Sequence, residues 1–143
     1  MAVFDSHCHP TDIEDPLAVV RHAVAQGVTS LLCCGYGRAS NAAVLDLRQR
    51  IPGLPISLGL HPWYVNEPWS EIATVIQRER PTAVGECGLD AEERDPNIPP
   101  LESQRSVFEQ QLDLAEQLSL PVTVHSRKAV NDVVEVAAHF PRV

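Results

Sequence analysis

Five short apolar segments, each followed by a helical pattern, constrain the fold of this chain more than any other feature. The apolar segments begin near residues 3, 28, 55, 82 and 121. Strict alternation of strands and helices requires a parallel sheet whose strands are joined by helical crossovers. No linker or low-complexity stretch interrupts the 143 residues, a length sufficient for a hydrophobic core. The sequence therefore predicts one α/β unit over residues 1–143.

Residues that break or cap helices and strands predict the bounds of these elements along the chain. The predicted strands cover residues 3–4, 28–34, 55–60, 82–85 and 120–124. The first of them is expected to be buried. The first helix is expected to begin at Thr11-Asp12, and Ser40-Asn41 is expected to cap the second. Residues 91–100 are predicted to form a polar loop that contains several prolines.

A His-x-His triplet follows the first predicted strand. Because side chains alternate along a strand, His7 and His9 are expected to project together, with Cys8 on the other side. Neutral imidazole is the commonest metal ligand, so the pair suits one divalent cation. Two surface histidines near a terminus would show the same pattern, and the triplet alone leaves both interpretations open.

The candidate metal-binding residues share one position in the predicted topology. Each of them lies where a predicted strand ends at its carboxyl side: His7, His9, His61, Glu86 and His125. In parallel sheets and barrels, this is the edge at which ligands bind. Structural histidines have no reason to gather at this edge, so the set favours a functional site.

Glu86 is flanked by Gly85 and Gly88, which permit a close backbone approach and an unusual turn. Glutamate is seldom buried without a partner, so a solvated turn residue is one interpretation. A carboxylate among several histidines could instead bridge two cations. The second interpretation depends on the histidines lying nearby.

Four further residues carry weaker signals. His61 could contact a substrate or be a loop histidine held by Pro62, and Arg127 could hold a phosphate or be solvated. Asp5 could orient a ligand histidine, and Asp90 could support the loop that follows it. Three aromatic residues are expected in the loop after the third strand, where they could stack on a base or cover the core: Trp63, Tyr64 and Trp69.

Composition excludes some functional classes. The net charge of −8, from 19 acidic and 11 basic residues, argues against a broad nucleic-acid-binding surface, but bound cations would still allow a phosphate-bearing substrate. No apolar run is long enough to span a membrane and no signal-peptide pattern is visible, so a cytoplasmic protein is expected. The four cysteines lie in apolar segments without C-x-x-C spacing, which favours buried thiols over disulfides.

The motifs resemble those of the TatD family of metal-dependent deoxyribonucleases, which are amidohydrolase-like TIM barrels. The resemblance lies in four motifs in the family's order, at residues 5–9 (DSHCH), 59–62 (GLHP), 84–90 (VGECGLD) and 120–127 (LPVTVHSR). It implies that His7 and His9 ligate one metal, that Glu86 bridges two and that His125 ligates the second. It further implies two divalent ions (Zn, Mg or Mn), hydrolysis of phosphodiester bonds by a metal-activated water, and single-stranded DNA as the substrate.

The chain also departs from the family pattern. A complete (β/α)8 barrel needs eight units and ~250 residues, whereas five units are predicted here. The family has a sixth-strand histidine that is a metal ligand and an eighth-strand aspartate that is a ligand and the general base. Neither has a counterpart here, and His139 sits too late in a helix to replace them. Residues 91–93 also lack the aromatic side chains usual in the family. We therefore expect the N-terminal five βα units of such a barrel, inactive alone and partnered by the missing C-terminal part.

Two other functions fit the same residues. A related amidohydrolase acting on a small amide or lactone would use the same His-x-His start. If the chain were complete, a five-stranded open sheet could bind a metal without catalysis. The order of the four motifs favours the nuclease.

Overall fold

A computed structural model describes residues 2–92 and 96–143, which form five strands and five α-helices in alternation. The strands are β1 (Val3–Cys8), β2 (Val28–Cys34), β3 (Ile56–Leu58), β4 (Ala83–Asp90) and β5 (Val122–Arg127). The helices are α1 (Pro16–Ala25), α2 (Arg38–Arg50), α3 (Trp69–Glu79), α4 (Leu101–Leu118) and α5 (Val130–Ala137). Short 3₁₀ turns cover Pro10–Asp12 and Pro62–Tyr64. Within the described ranges, no helix is both long and apolar enough to cross a membrane.

The strands form one parallel sheet in the order β1-β2-β3-β4-β5. This confirms the predicted five βα units, since each helix carries the chain to the adjacent strand. The sequential order is that of a TIM barrel rather than of a doubly wound sheet, in which the order reverses. Consequently β1 and β5 lie at the two edges of the sheet.

The main core lies between the sheet and the helices. Its fully buried members include Cys33, Ile56, Val84, Ile76 and Ala115. Cys34 belongs to a separate small cluster, so the neighbouring cysteines of β2 face opposite sides, as predicted. All four cysteines are free thiols, and burial raises the pKa of Cys33 to about 12.

Bulges interrupt two strand pairings near the site. Between Val84 and Cys87, two residues of β4, Gly85 and Glu86, stand opposite one residue of β5, Thr123. The same mismatch occurs in β1 between Asp5 and Cys8. A bulge changes the side-chain alternation and re-aims a residue. Glu86 and His7 lie inside these two bulges.

Two buried glutamines of α4 hydrogen-bond to the backbone of neighbouring segments. Gln111 donates to the Leu60 carbonyl and accepts from the Leu60 N–H, both at 2.8 Å. Gln104 accepts from the Asp90 N–H at 2.7 Å and donates to the Asp90 carbonyl at 3.0 Å. Leu60 precedes His61, so α4 positions the backbone at two points of the site.

Several predicted boundaries are wrong for local reasons. The first helix begins at Pro16, because the Asp15 carboxylate accepts a hydrogen bond from the Ala18 N–H at 3.0 Å and caps it there. The second helix begins at Arg38, ahead of the expected Ser40-Asn41 cap. Asn41 instead uses its buried side chain to bind the backbone of Gly59.

Three predictions about strands and loops also need correction. β1 is not buried: Val3 is 47% and Phe4 is 57% exposed, because an edge strand has a neighbour on one side alone. β4 and β5 continue to Asp90 and Arg127, so Glu86 and His125 lie within strands rather than after them. Trp69 opens α3 and packs against the main core, whereas Trp63 and Tyr64 lie in the loop as predicted. The predicted loop at 91–100 falls partly on 93–95, outside the described residues.

Candidate metal centre

The carboxylate of Glu86 lies between four imidazoles. Its Oε2 is 3.2 Å from Nε2 of His7 and 3.3 Å from Nε2 of His9. Its Oε1 is 3.2 Å from Nδ1 of His125 and 3.9 Å from Nε2 of His61. The structure thus brings together all five residues that the sequence placed at the strand ends, and each carboxylate oxygen faces a different pair.

The first group of donor atoms fits a single small cation. The nitrogens of His7 and His9 are 3.0 Å apart, which completes a triangle with Oε2 of Glu86. Zinc–nitrogen bonds of ~2.0–2.1 Å place neighbouring ligand atoms roughly 3–3.4 Å apart. Nδ1 of His9 donates to the Cys34 carbonyl at 2.8 Å, so the lone pair is on Nε2, facing the group. The donor set therefore fits a divalent metal.

His125 is held between two carboxylates. Its Nε2 is 3.1 Å from Oδ2 of Asp90, while its Nδ1 faces Glu86. With the Nε2 proton directed at Asp90, the neutral ring presents its Nδ1 lone pair to Glu86 and to any cation there. A carboxylate behind a metal-binding histidine fixes the ring in this way.

His61 lies within the second group but has a different tautomer. The ligand atoms of His61, Glu86 and His125 lie within 4.8 Å of one another. However, Nδ1 of His61 accepts a hydrogen bond from the Trp63 N–H at 3.2 Å. The neutral ring then carries its proton on Nε2, the nitrogen that faces Glu86. His61 therefore presents a hydrogen-bond donor there, which argues against metal ligation.

Asp90 organises the side of the site that carries His125. It is 1% exposed and accepts hydrogen bonds from Nε1 of Trp63 at 2.7 Å and from Nε of Arg127 at 2.9 Å, besides its contact with His125. The Arg127 guanidinium also lies over the Trp63 ring, 5.3 Å from its centre. The buried carboxylate thus orients three side chains at once.

Burial and neighbouring charges set the pKa values of the cluster. Burial opposes ionisation of Glu86, but hydrogen bonds that His125 and His9 donate when their rings are protonated on both nitrogens outweigh it and hold the Glu86 pKa far below its usual range. The hydrogen bond to Glu86 raises the pKa of His9. Burial, together with repulsion from His125, lowers the pKa of His61 to about 4. His61 is consequently neutral near pH 7, in keeping with its role as a donor through Nε2.

Asp5 and His139, which the sequence analysis also considered, both lie outside the cluster. Asp5 is exposed, and its carboxylate accepts a hydrogen bond at 3.2 Å from the backbone N–H of His7, not from an imidazole. It therefore supports the bulge of β1 rather than a ring. His139 is exposed beyond the end of α5 and takes no part in the cluster.

The sequence analysis overlooked Tyr36. This residue follows β2, so the strand-end argument applied to the other candidates would have found it. Its ring lies edge-on to His9, 5.4 Å between centres, and stacks with Tyr64 at 5.6 Å. A pocket of about 230 Å³ opens beside Glu86, with walls that include His9, Tyr36 and Tyr64.

Comparison with known proteins places the chain among related sequences. A family model described as "TatD related DNase" matches residues 4–142. The 3'-5' ssDNA/RNA exonuclease TatD of Pantoea vagans is 37% identical over 120 residues, which are 80% of this chain and 45% of that protein. The uncharacterized metal-dependent hydrolase YabD of Bacillus subtilis is 28% identical over 144 residues, 94% of this chain and 54% of that protein.

Solved structures show the same fold. The crystal structure of YJJV, a TatD homolog from Escherichia coli K12, matches with a TM-score of 0.80 and 28% identity, over 99% of this chain and 57% of that chain. An uncharacterized amidohydrolase from Saccharomyces cerevisiae, 20% identical with a TM-score of 0.84 over 98% of this chain and 52% of that one, shares the fold. The chain spans about half the length of these proteins, 45% and 54% of the two curated relatives.

Proposed function

The chain belongs to the TatD related DNase family, and on that premise we propose that it forms most of the metal centre of a divalent-metal-dependent phosphodiesterase. The proposed substrate is single-stranded nucleic acid, DNA in the first place. Relatives such as the Pantoea vagans protein bear the name of a 3'-5' ssDNA/RNA exonuclease. Others are named metal-dependent hydrolases without a substrate, which leaves the amide or lactone alternative to be tested.

One observation carries the proposal: Glu86 directs its two oxygens at two separate groups of histidine nitrogens. In this proposal, His7 and His9 would hold one cation, His125 would hold a second, and Glu86 would bridge them. The ligands are nitrogen and carboxylate oxygen, which accept Zn, Mg or Mn. Bound cations would lower the pKa of a water molecule and neutralise charge on the phosphoryl oxygens.

The chain's own side chains would position the phosphate. His61 is neutral and directs its Nε2–H towards the cluster, so it would donate a hydrogen bond to a phosphoryl oxygen. Arg127 is 40% exposed and bonds Asp90 through Nε. Its terminal guanidinium nitrogens have no partner within the described ranges and suit a second phosphoryl oxygen. Since the chain carries a net charge of −8, these donors and the cations would supply the local attraction for an anionic substrate.

We further propose that residues 1–143 are the first five βα units of a (β/α)8 barrel. The remaining units would supply the last metal ligand and the general base. The sequential order of the five strands supports this, because three more parallel strands between β5 and β1 would close the barrel.

A metal-loaded assay of the full-length protein tests the proposal. Wild type should release nucleotides from labelled single-stranded DNA, and Glu86→Gln should reduce the rate by at least about 100-fold, since the amide cannot carry the bridging charge. An unchanged melting temperature of the Glu86→Gln variant would show that its fold is intact. Activity of Glu86→Gln at the wild-type rate would overturn the bridging role. Hydrolysis of amides or lactones instead of DNA would favour the alternative enzyme.

Two further variants distinguish residues that ligate the metal from residues that contact the substrate. His61→Asn should lower the hydrolysis rate while leaving the bound metal, measured by elemental analysis, at the wild-type amount. His125→Asn should lower both. Loss of metal from His61→Asn would show that His61 is a ligand after all.

A further inference from the structure

We propose that Tyr64, supported from behind by Tyr36, binds the base of an unpaired nucleotide whose phosphate lies at Glu86. The inference rests on the proposed function and extends it to substrate recognition. It names the group that would be recognised, a single flat heteroaromatic ring, and the side chain against which that ring would stack.

Tyr64 presents an exposed aromatic ring beside a charged cluster. Its ring is stacked on Tyr36 with an angle of 27° between the planes, yet 38% of the residue is exposed. Its hydroxyl has no hydrogen-bond partner in the part of the chain that the structure describes. Exposed aromatic side chains are the elements on which proteins stack unpaired bases.

The tyrosine pair is held firmly before any ligand arrives. The Tyr36 hydroxyl donates to the Asp12 carboxylate at 2.9 Å, and the Tyr36 carbonyl accepts from the His61 N–H at 3.0 Å. Beyond Tyr64, the Glu67 carboxylate accepts from the Arg38 N–H at 2.7 Å and ties the loop to the start of α2. A ring held in this way loses little conformational entropy when a base stacks on it.

Trp63 is 41% exposed, but its side chain already contacts other residues of the site. Trp63 also lines the pocket, but its Nε1–H donates to Asp90 and the Arg127 guanidinium lies over its ring. These contacts make Trp63 part of the network that orients His125. Among the described residues, no hydrogen bond is made by the Tyr64 side chain, so a base could stack on Tyr64 without disturbing the network around His125.

The pocket connects the tyrosines to the metal centre. Tyr36, Tyr64, His9 and Glu86 line the same space of about 230 Å³, so one ligand can touch both groups. This volume is below the ~300–1,000 Å³ of drug-sized ligand sites and suits one nucleotide unit. A base inside a duplex has both faces stacked and cannot meet Tyr64. The site therefore selects unpaired nucleotides.

Nucleotide binding by the full-length protein in Mn²⁺ tests the proposal. Thymidine 5'-monophosphate and 2-deoxyribose 5-phosphate share the phosphate and sugar but differ in the base. Stacking on one aromatic ring should make the nucleotide bind about 5- to 100-fold more tightly. Tyr64→Ala should remove this difference, and Tyr64→Phe, the matched control that keeps the ring, should retain it. Equal binding of both ligands by wild type, or an unchanged preference in Tyr64→Ala, would overturn the inference.

Hydrolysis of oligonucleotides with a terminal thymidine or a terminal abasic nucleotide separates the two proposals. Tyr64→Ala should lower kcat/KM for the first substrate and leave the second unchanged. If wild type binds nucleotides through the base but hydrolyses neither substrate, the base site stands and the nuclease proposal fails. If Tyr64→Ala hydrolyses the thymidine substrate as wild type does, the nuclease proposal stands and the base site fails.

Discussion

At the scale of single residues, hydrogen-bond partners decide what each histidine of the cluster can do. His9 donates through Nδ1 to the Cys34 carbonyl and offers Nε2, whereas His61 accepts at Nδ1 and donates through Nε2. Both imidazoles face the same carboxylate, but His9 can ligate a cation whereas His61 can donate a hydrogen bond. The difference comes from backbone groups, which no side-chain pattern in the sequence reveals.

Asp90→Asn is predicted to weaken the site without unfolding the protein. The amide accepts the His125 proton more weakly and places an N–H group near Arg127 or Trp63. Loss of a carboxylate that orients a metal-binding histidine costs about 10- to 100-fold in metal affinity or activity. Metal titration and DNA hydrolysis of the full-length variant measure this. Asp46→Asn, an exposed change on α2, is the control, and equal affinities in the two variants would contradict the prediction.

The sequence predicted which side chains lie close together better than it predicted their individual contacts. The clustering of His7, His9, Glu86 and His125 was expected because parallel strands end at a common edge, and bulges in β1 and β4 also contribute to it. The role of Asp90 was underestimated, since its three side-chain donors come from β5 and from the loop after β3. Contacts between segments distant in the chain depend on packing, which local patterns do not encode.

At the scale of elements, α4 is the helix most directly connected to the site. Its Phe108 and Leu112 pack in the second core cluster, while Gln104 binds the backbone at the end of β4 and Gln111 binds the backbone just beyond β3. These glutamines lie seven residues apart, two turns along one face of the helix. Polar residues on an apolar helix face thus satisfy buried backbone groups at the ends of β3 and β4.

Gln111→Leu is predicted to destabilise the fold strongly. The change leaves the N–H and the carbonyl of Leu60 buried without their partner, at about 1–3 kcal/mol each. Denaturant unfolding of the full-length protein should show a loss of about 2–6 kcal/mol in the free energy of unfolding. Gln110→Leu changes the adjacent, exposed glutamine and should have little effect. A similar small effect for Gln111→Leu would show that water replaces the glutamine.

The ion pair between α2 and α3 predicts a pH dependence of stability. Hydrogen bonding to Arg78 lowers the pKa of Glu79 below its ordinary 4.5, and Arg48 of α2 contributes. Because the folded-state pKa is depressed, the stabilisation is present above pH 4.5 and disappears as the pH falls through the lower, folded-state value.

Glu79→Gln should therefore lower the free energy of unfolding at pH 7 by about 1 kcal/mol or less, as is typical of partly exposed ion pairs. A lower melting temperature would report this loss. The gap from wild type should close as the pH is lowered towards 3. Glu109→Gln, on the exposed side of α4, should show no such convergence. A gap that persists at low pH would indicate packing rather than charge.

Element boundaries illustrate where sequence patterns lose accuracy. β2 was predicted at its observed limits, Val28–Cys34, because this segment is rich in residues that favour strands and is followed by Gly35. The end of β4 was misplaced because Gly85 and Gly88 look like strand breakers. In the structure they permit close approach instead: a Cβ atom at Gly88 would collide with the His125 carbonyl. A glycine forced by tertiary contact has the same local signature as one in a turn.

At the scale of the whole molecule, the sheet has two unpaired edges that carry apolar side chains. Val3 and Phe4 on β1 and Val124 on β5 are 47%, 57% and 41% exposed. Val130 and Val134 of α5 are each 62% exposed. These residues lie where the remaining barrel units would pack in the proposed full-length protein, and unpaired strand edges are prone to aggregation.

A polypeptide of residues 1–143 is therefore predicted to be inactive on DNA with any of the three metals. Co-expression with a second polypeptide that supplies the remaining units should restore hydrolysis. The full-length protein and its Glu86→Gln variant set the upper and lower limits of the assay. Metal-stimulated cleavage by the purified polypeptide above that lower limit would contradict the prediction.

The two oxygens of Glu86 have a thermodynamic consequence. A cation bound by His7 and His9 and a cation bound by His125 would share the single negative charge of the Glu86 carboxylate. The affinities of the two cations therefore cannot be independent. By linkage, each would change the binding of the other by the same factor. A calorimetric metal titration should then yield two macroscopic constants that belong to the pair rather than to either side, and Glu86→Gln should alter both together.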